Sequence, residues 1–368
     1  MERLDTTQRP DDESDLPFVV GPINPEGIEI ESEAAQRAQR EIERRDSTSV
    51  SPGRAALRRF LRDGRAVFCL GVIVFIIVFS FVFPPIYRQI GPDFIGGVSG
   101  TLRVTPQQYH TPSWQEQSRS DGPSTFFPLG AKSLEYPFGT DTNGRDIFAR
   151  LMAGVNVSII IALSVEIFDV GLGLLFGTLA GYFAGWLDTV LARFTDIMFA
   201  FPGLLLIILI GATLGPILDS KMGAGVGRIV LLIGAIGFLS WPLMMRYVRG
   251  QTLQLKEQQY IEAARTVGTS SGAIITRHII PNLLNVVIVA STLNILGTIG
   301  LEAGISLLGV GIQEPQTSLG LMINDAVNTI YTSWTELFWP ALTLVVLIVC
   351  FAFVGDGIRD AFDPRTKD

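Results

Sequence analysis

The chain has 368 residues, 48% of them hydrophobic and only 17% charged. That balance excludes a soluble enzyme and describes an integral membrane protein with a polar tail, and the 38 glycines suit membrane helices. The net charge of −7 gathers largely in the first fifty residues, and no basic block points to nucleic acid.

Residues 1–53 are acidic and rich in Pro, Ser, Asp and Glu, a composition that cannot bury a core, so a disordered tail is expected. Within it, Glu31 to Arg45 carries strong helix formers and opposite charges four apart, such as Glu33 with Arg37, which fits a solvated helix or a docking helix. Ala55 to Arg65 places Arg58, Arg59, Arg62 and Arg65 between Leu57, Phe60 and Leu61, a basic amphipathic approach to a membrane surface. It sets the N-terminus in the cytoplasm by the positive-inside rule. Ala66 to Ile86 then spans about 31 Å as a helix, enough for the hydrocarbon core, with Pro84 and Pro85 expected to end it. Starting so late, this stretch reads as a retained anchor rather than a cleaved signal.

Residues 87–150 form a long extracytoplasmic loop in this reading. Its end carries a turn signal, Asp141-Thr142-Asn143-Gly144, and Asp146 favours the start of the next helix. Further spans are expected near Val155–Phe183, Phe194–Leu214, Ile229–Val248, Leu283–Leu308 and Phe338–Val354. The chain thus divides into a tail (1–53), a lead-in with the first span (54–86), the loop (87–150), a core of five helices (151–358) holding a cytoplasmic loop at 249–282, and a cytoplasmic tail (359–368). Arg246, Arg249, Lys256, Arg265 and Arg277 agree with that orientation, while Lys221 and Arg228 in a short outer loop argue mildly against it.

Several features stand out. Gln259 to Asn282 is polar yet lies between two spans, and its layout predicts a helix, a break and a second helix. Glu262 and Arg265 share a helix face, Gly268 falls where a left-handed cap belongs, Thr269 to Ser271 offer N-caps, and Pro281 suits a first turn. Ala263 and Ala264 would admit a partner's backbone closely; a plain solvated connector is the alternative. Gly173, Gly177, Gly181 and Gly185 recur every four residues, a flat strip for packing another helix within the chain or across a dimer. Glu166, Asp169 and Glu302 fall inside spans, where an ionised group costs roughly 2.5–3.5 kcal/mol, so each needs a water-filled path or a polar partner. For Glu302 a path-facing position is expected. Cys69 and Cys350 read as buried thiols, and His110 and His278, in different compartments, make no metal site. No phosphate-binding GxxxxGK[ST] loop is present, so if ATP drives the protein another polypeptide binds it.

Several of these stretches carry a resemblance. Glu262-Ala263-Ala264, Gly268, His278 and Pro281 resemble the EAA loop of ABC importer permeases, in the form usual for the peptide-transporting branch. Gly139 to Arg150 resembles the GTDxxGRDxxSR signature of the C-type subunit of dipeptide/oligopeptide/nickel permeases, with Ala149 in place of Ser. Leu301-Glu302-Ala303 through Gly311, with Pro315 and Gly320, resembles the segment closing the fifth helix, with Leu319 in place of Trp. Gly357 to Arg365 resembles the family's terminus. The likeness covers residues 55–368. It implies an all-α membrane fold of the type I importer permease kind, with about six transmembrane helices and a cytoplasmic coupling helix. It further implies a non-catalytic subunit of the inner or plasma membrane that needs no cofactor. The implied partners are a second homologous permease, two ATPase subunits and an external solute-binding protein. The competing reading is a stand-alone secondary transporter or channel using Glu166, Asp169 and Glu302; a membrane enzyme stands third, for want of any assembled site.

Overall fold

Six stretches are long and apolar enough to cross a membrane as helices: Gly64–Pro84, Ile147–Phe183, Gly203–Met222, Val226–Leu255, Ser271–Leu307 and Trp334–Phe362. In this computed structural model the described residues are 52–90, 138, 141, 145–331 and 333–362. The acidic tail, its Glu31 to Arg45 stretch, His110, the Thr142–Gly144 turn, most of the long loop and residues 363–368 lie outside them. Regular structure among the described residues is helical. In chain order the elements are α1 (Pro52–Phe60), α2 (Gly64–Ile90), α3 (Ile147–Phe183), α4 (Gly185–Ala200), α5 (Gly203–Met222), α6 (Val226–Leu255), α7 (Gln259–Thr266) and α8 (Ser271–Ile274). A π-helical turn (Ile275–Ile279), α9 (Ile280–Leu307), α10 (Leu319–Val327) and α11 (Trp334–Phe362) complete the order.

Helix boundaries depart from expectation where proline is involved. α2 does not end at Pro84 and Pro85 but runs on to Ile90. Pro84 lacks the amide hydrogen that would close a bond to the carbonyl of Ser80. Asn156 of α3 supplies the missing donor, its Nδ2 lying 2.8 Å from that oxygen, while Ser80 Oγ donates to Asn156 Oδ1 at 2.7 Å. Pro202 has the opposite effect. It forces Phe201 into extended backbone, so the span expected at Phe194–Leu214 is really two helices, α4 and α5, and the apolar crossing lies at Gly203–Met222. α3 begins eight residues before the expected Val155, because Asp146 caps it by accepting from the amides of Phe148 (2.8 Å) and Ala149 (3.4 Å).

α3 is the central helix and packs most extensively on α6. The glycine strip explains how. A Cβ at Gly173 would lie 2.3 Å from Met244, one at Gly177 2.7 Å from the Met245 carbonyl and from Val248, and one at Gly181 2.6 Å from Thr252. Such approach is open only to glycine. Gly185 departs from the expected row: α3 ends at Phe183, Gly185 opens α4 at φ +67°, and a side chain there would meet nothing. The strip is therefore three glycines, and its partner is α6 of the same chain. Gly177→Leu is expected to cost about 1–3 kcal/mol by overpacking, seen as a lower unfolding midpoint in detergent. Gly171→Leu, on the same helix with open space at its Cβ, is expected to leave the midpoint unchanged.

Around α3 sit three apolar clusters. Ile147, Val155 and Ile159 pack with Ile299, Leu319 and Leu347; Ile161 and Val165 with Ile207, Leu232, Ile236 and Ile305; Tyr182 with Met244, Val248, Ile261, Ile274, Ile279 and Leu283. A fourth joins Phe60 and Ala66 to Val354 and Ala361, bringing the start of α2 to the end of α11. On the α5–α6 turn, Arg228 is held by Asp219 (2.9 Å), so its positive charge is locally matched. Cys69 and Cys350 are free and buried.

Candidate functional site

The polar stretch between α6 and α9 forms an elbow whose shape follows from its residues. α7 ends in a Schellman motif: the Gly268 amide donates to the Arg265 carbonyl (2.9 Å) and the Thr269 amide to the Ala264 carbonyl (3.0 Å), with Gly268 at φ +85°. Ser270 then caps α8, its Oγ accepting from the Ala273 amide at 3.4 Å. Pro281 lies in the first turn of α9, but that helix does not start afresh. It continues α8 through the π-helical turn, whose widened step keeps Ile275 and Ile279 on the same buried side as Leu283 and Val287. Apolar residues spaced strictly by four outrun the 3.6-residue helical period, and one π turn absorbs the drift.

What the elbow leaves outward is specific. Ile261 is fully buried and pins α7 to α6 and α9. Glu262 and Ala263 are exposed, whereas Ala264 turns inward and packs on the cluster around Ile261. Of the two small residues expected to admit a partner, Ala263 is exposed and Ala264 half-buried. Arg265 does not bond Glu262; its guanidinium lies over the Tyr182 ring, 5.2 Å from the centroid. His278 faces the Tyr260 ring at 6.4 Å between centroids, and its carbonyl accepts from Asn282 Nδ2 at 2.6 Å. Val267 stands 86% exposed at the elbow's tip.

Behind the elbow, two ion pairs tie α4 to α6: Arg249 to Asp188, and Arg246 to Asp196 (2.6 Å), with Arg246 also 4.2 Å over the Phe199 ring. The Arg249 hydrogen bonds hold Asp188 below the usual carboxylate range, against a smaller opposing effect of burial. A depressed folded value means that its stabilisation is full above the unfolded pKa of about 3.9 and is lost as pH falls through the folded one. Acid titration followed by proteolysis near α4 is expected to show release below about pH 4, and Asp188→Asn to show it already at neutral pH.

The buried carboxylates occupy the protein interior. Glu302 is 1% exposed and accepts from Ser158 of α3 (2.9 Å) and Ser306 (2.8 Å). Ser306 Oγ also accepts from the Ile312 amide at 3.2 Å, so Glu302 bolts α9 to α3 and to the turn that follows. The path-facing position expected for it is not what is found: its polar partners are internal. Asp169 is fully buried and accepts from Asn294 at 2.8 Å. Glu166, 7% exposed, lies beside Ser291, and neither of its oxygens closes a hydrogen bond among the described residues.

One cluster escaped sequence reasoning. At the other end of α3, Asp141 accepts from Arg145 (2.7 Å) and Arg150 (2.6 Å); Arg150 also reaches Asp325 of α10 (2.8 Å), and Arg145 pairs with Glu314. The turn residues and the arginines were visible, and so was their signature, but nothing in the order of residues joined them to Asp325. Phe138 stacks on Trp339 beside this cluster, 3.9 Å between centroids.

Residues 173–368 match the family described as "binding-protein-dependent transport system inner membrane component". This chain belongs to that family. Residues 51–95 also match the N-terminal transmembrane domain of oligopeptide transport permease C. An oligopeptide transport system permease protein of Haemophilus influenzae is 32% identical over 94% of this chain and 98% of its own. A glutathione transport system permease protein of Pectobacterium atrosepticum is 33% identical over 88% of this chain and 94% of its own. A chain of the inward-facing MetNI methionine ABC transporter is 20% identical, covering 58% of this chain and 97% of its own, with a TM-score of 0.46. As an inner membrane component, the protein is a multi-pass transport subunit rather than a catalyst. It serves a system with a binding protein, and ATP hydrolysis belongs to a separate subunit.

Proposed function

We propose that this chain is one of two homologous transmembrane subunits of an ATP-driven importer for oligopeptides, dipeptides or similar small solutes. The observation that carries the reading is the elbow: a capped, polar two-helix unit, rigidly pinned by Ile261, that presents Glu262, Ala263 and Val267 outward between two membrane helices. The names of the relatives, oligopeptide and glutathione permeases, support the cargo class. In this reading α7, with Gly268 setting its end and His278 and Pro281 holding the return, seats in one ATPase subunit of a pair. The second ATPase seats on the matching elbow of the second permease. The elbow, the basic residues of α1 and both termini face the cytoplasm, and residues 87–150 face outward to receive the binding protein. Nucleotide-driven closure of the ATPases moves the elbow, which shifts the membrane helices because the partners bind the two states unequally.

The test is reconstitution of both permeases, the ATPases and the binding protein in liposomes with a labelled oligopeptide. Accumulation that requires ATP and every subunit is the expected result. Uptake by this chain alone, without ATP, overturns the reading in favour of a secondary transporter.

A further inference from the structure

A cavity of about 300 Å³ lies between α6, α9 and the end of α11. Leu243, Val289 and Leu293 line it with hydrocarbon, Asn294 is its inner polar group, and Tyr247 and Arg359 complete the lining. The position of Arg359 follows from the helix packing. Gly355 lies against Thr292 and Leu293 of α9, so Arg359, one turn further along α11, is nearer the elbow end, the level also reached by Tyr247 near the end of α6. All three helices are candidate membrane spans, and an arginine in the last turn of such a helix is suited to headgroup level, with apolar residues one or two turns deeper in hydrocarbon.

Arg359 is exposed and makes no ion pair among the described residues, whereas Arg246 and Arg249 at the same end of α6 are matched by Asp196 and Asp188. An unmatched guanidinium above apolar walls calls for a ligand with an anionic head and an apolar body. A peptide offers a carboxylate, but along Leu243, Met244, Val289, Ala290 and Leu293 its amides would lie against hydrocarbon and stay unbonded. We propose that this cavity binds one anionic phospholipid from the leaflet on the elbow side. The phosphate lies on Arg359 with the Tyr247 hydroxyl beside it, and an acyl chain runs along Val289 and Leu293 toward the middle of the membrane. The lipid so placed bridges α6 and α9, the two helices that carry the elbow.

The test uses the complete transporter, stripped of lipid in detergent and incubated with phosphatidylglycerol or phosphatidylcholine, with bound lipid counted by native mass spectrometry. Wild-type protein is expected to retain one more phosphatidylglycerol than Arg359→Gln, with apparent affinity about fivefold lower in the variant, the worth of one arginine against an anionic lipid. Ala290→Trp, which fills the cavity from α9 and keeps Arg359, is expected to lose the same lipid. Equal phosphatidylglycerol retention in the wild type and both variants overturns the proposal. So does equal preference for phosphatidylcholine, or displacement of the lipid by an oligopeptide, which would make the cavity part of the solute path.

Discussion

Glu262→Arg is expected to lower ATP-driven uptake by about tenfold or more, within the range of coupling energies between sites, while the chain remains inserted at normal abundance. The side chain is exposed in the first turn of α7 and closes no hydrogen bond within the described chain. Inside this subunit, reversal of charge therefore loses only a favourable term at a helix N-terminus, about 0.3–1 kcal/mol. That is too little to unfold an elbow anchored by Ile261 and closed by its Schellman motif. A large loss of transport would consequently report a lost contact with a partner. Ala264→Leu makes the comparison, because Ala264 faces inward; its cost is one of packing and lowers the unfolding midpoint as well as uptake. Unchanged uptake by Glu262→Arg would remove the coupling role from α7.

Arg150→Met is expected to have the largest effect on stability, about 3 kcal/mol. Breaking a buried ion pair by removing one partner costs about 3–5 kcal/mol. The lower end applies because Asp325, at 32% side-chain exposure, recovers some hydration, and because Asp141 keeps Arg145 at 2.7 Å. The Arg150 side chain is itself 5% exposed and makes the shorter of the two ion pairs to Asp325 of α10, 2.8 Å against 3.8 Å from Arg145. Arg150→Lys retains the charge but not the fork that reaches two carboxylates at once, so it should fall between wild type and Arg150→Met. Thermal unfolding in detergent reads the order; a methionine variant as stable as wild type would mean that the network contributes nothing.

The architecture was legible wherever it depends on local chemistry. Apolar length marked the helices, Gly268 and Ser270 marked the elbow's break, and Asp146 marked the start of α3. Part of what escaped depends on groups far apart in the chain. Pro84 looks like a terminator until Asn156, seventy-two residues later, takes the carbonyl it frees. Glu302 looks like a path residue until Ser158 and Ser306 are found around it. Gly185 continues a numerical row but not a helix, because periodicity carries no information about where α3 stops. Ala263 and Ala264 are identical letters, one exposed and one half-buried, a distinction that follows from Ile261 facing the core.

The π turn at Ile275–Ile279 inserts, in effect, one residue into a continuous helix. One residue is about 100° of rotation around a helix axis. The compass bearing of the whole elbow relative to the bundle is thus fixed by a single residue's worth of chain, and a deletion there would leave every cap intact while swinging the handle away from whatever grips it.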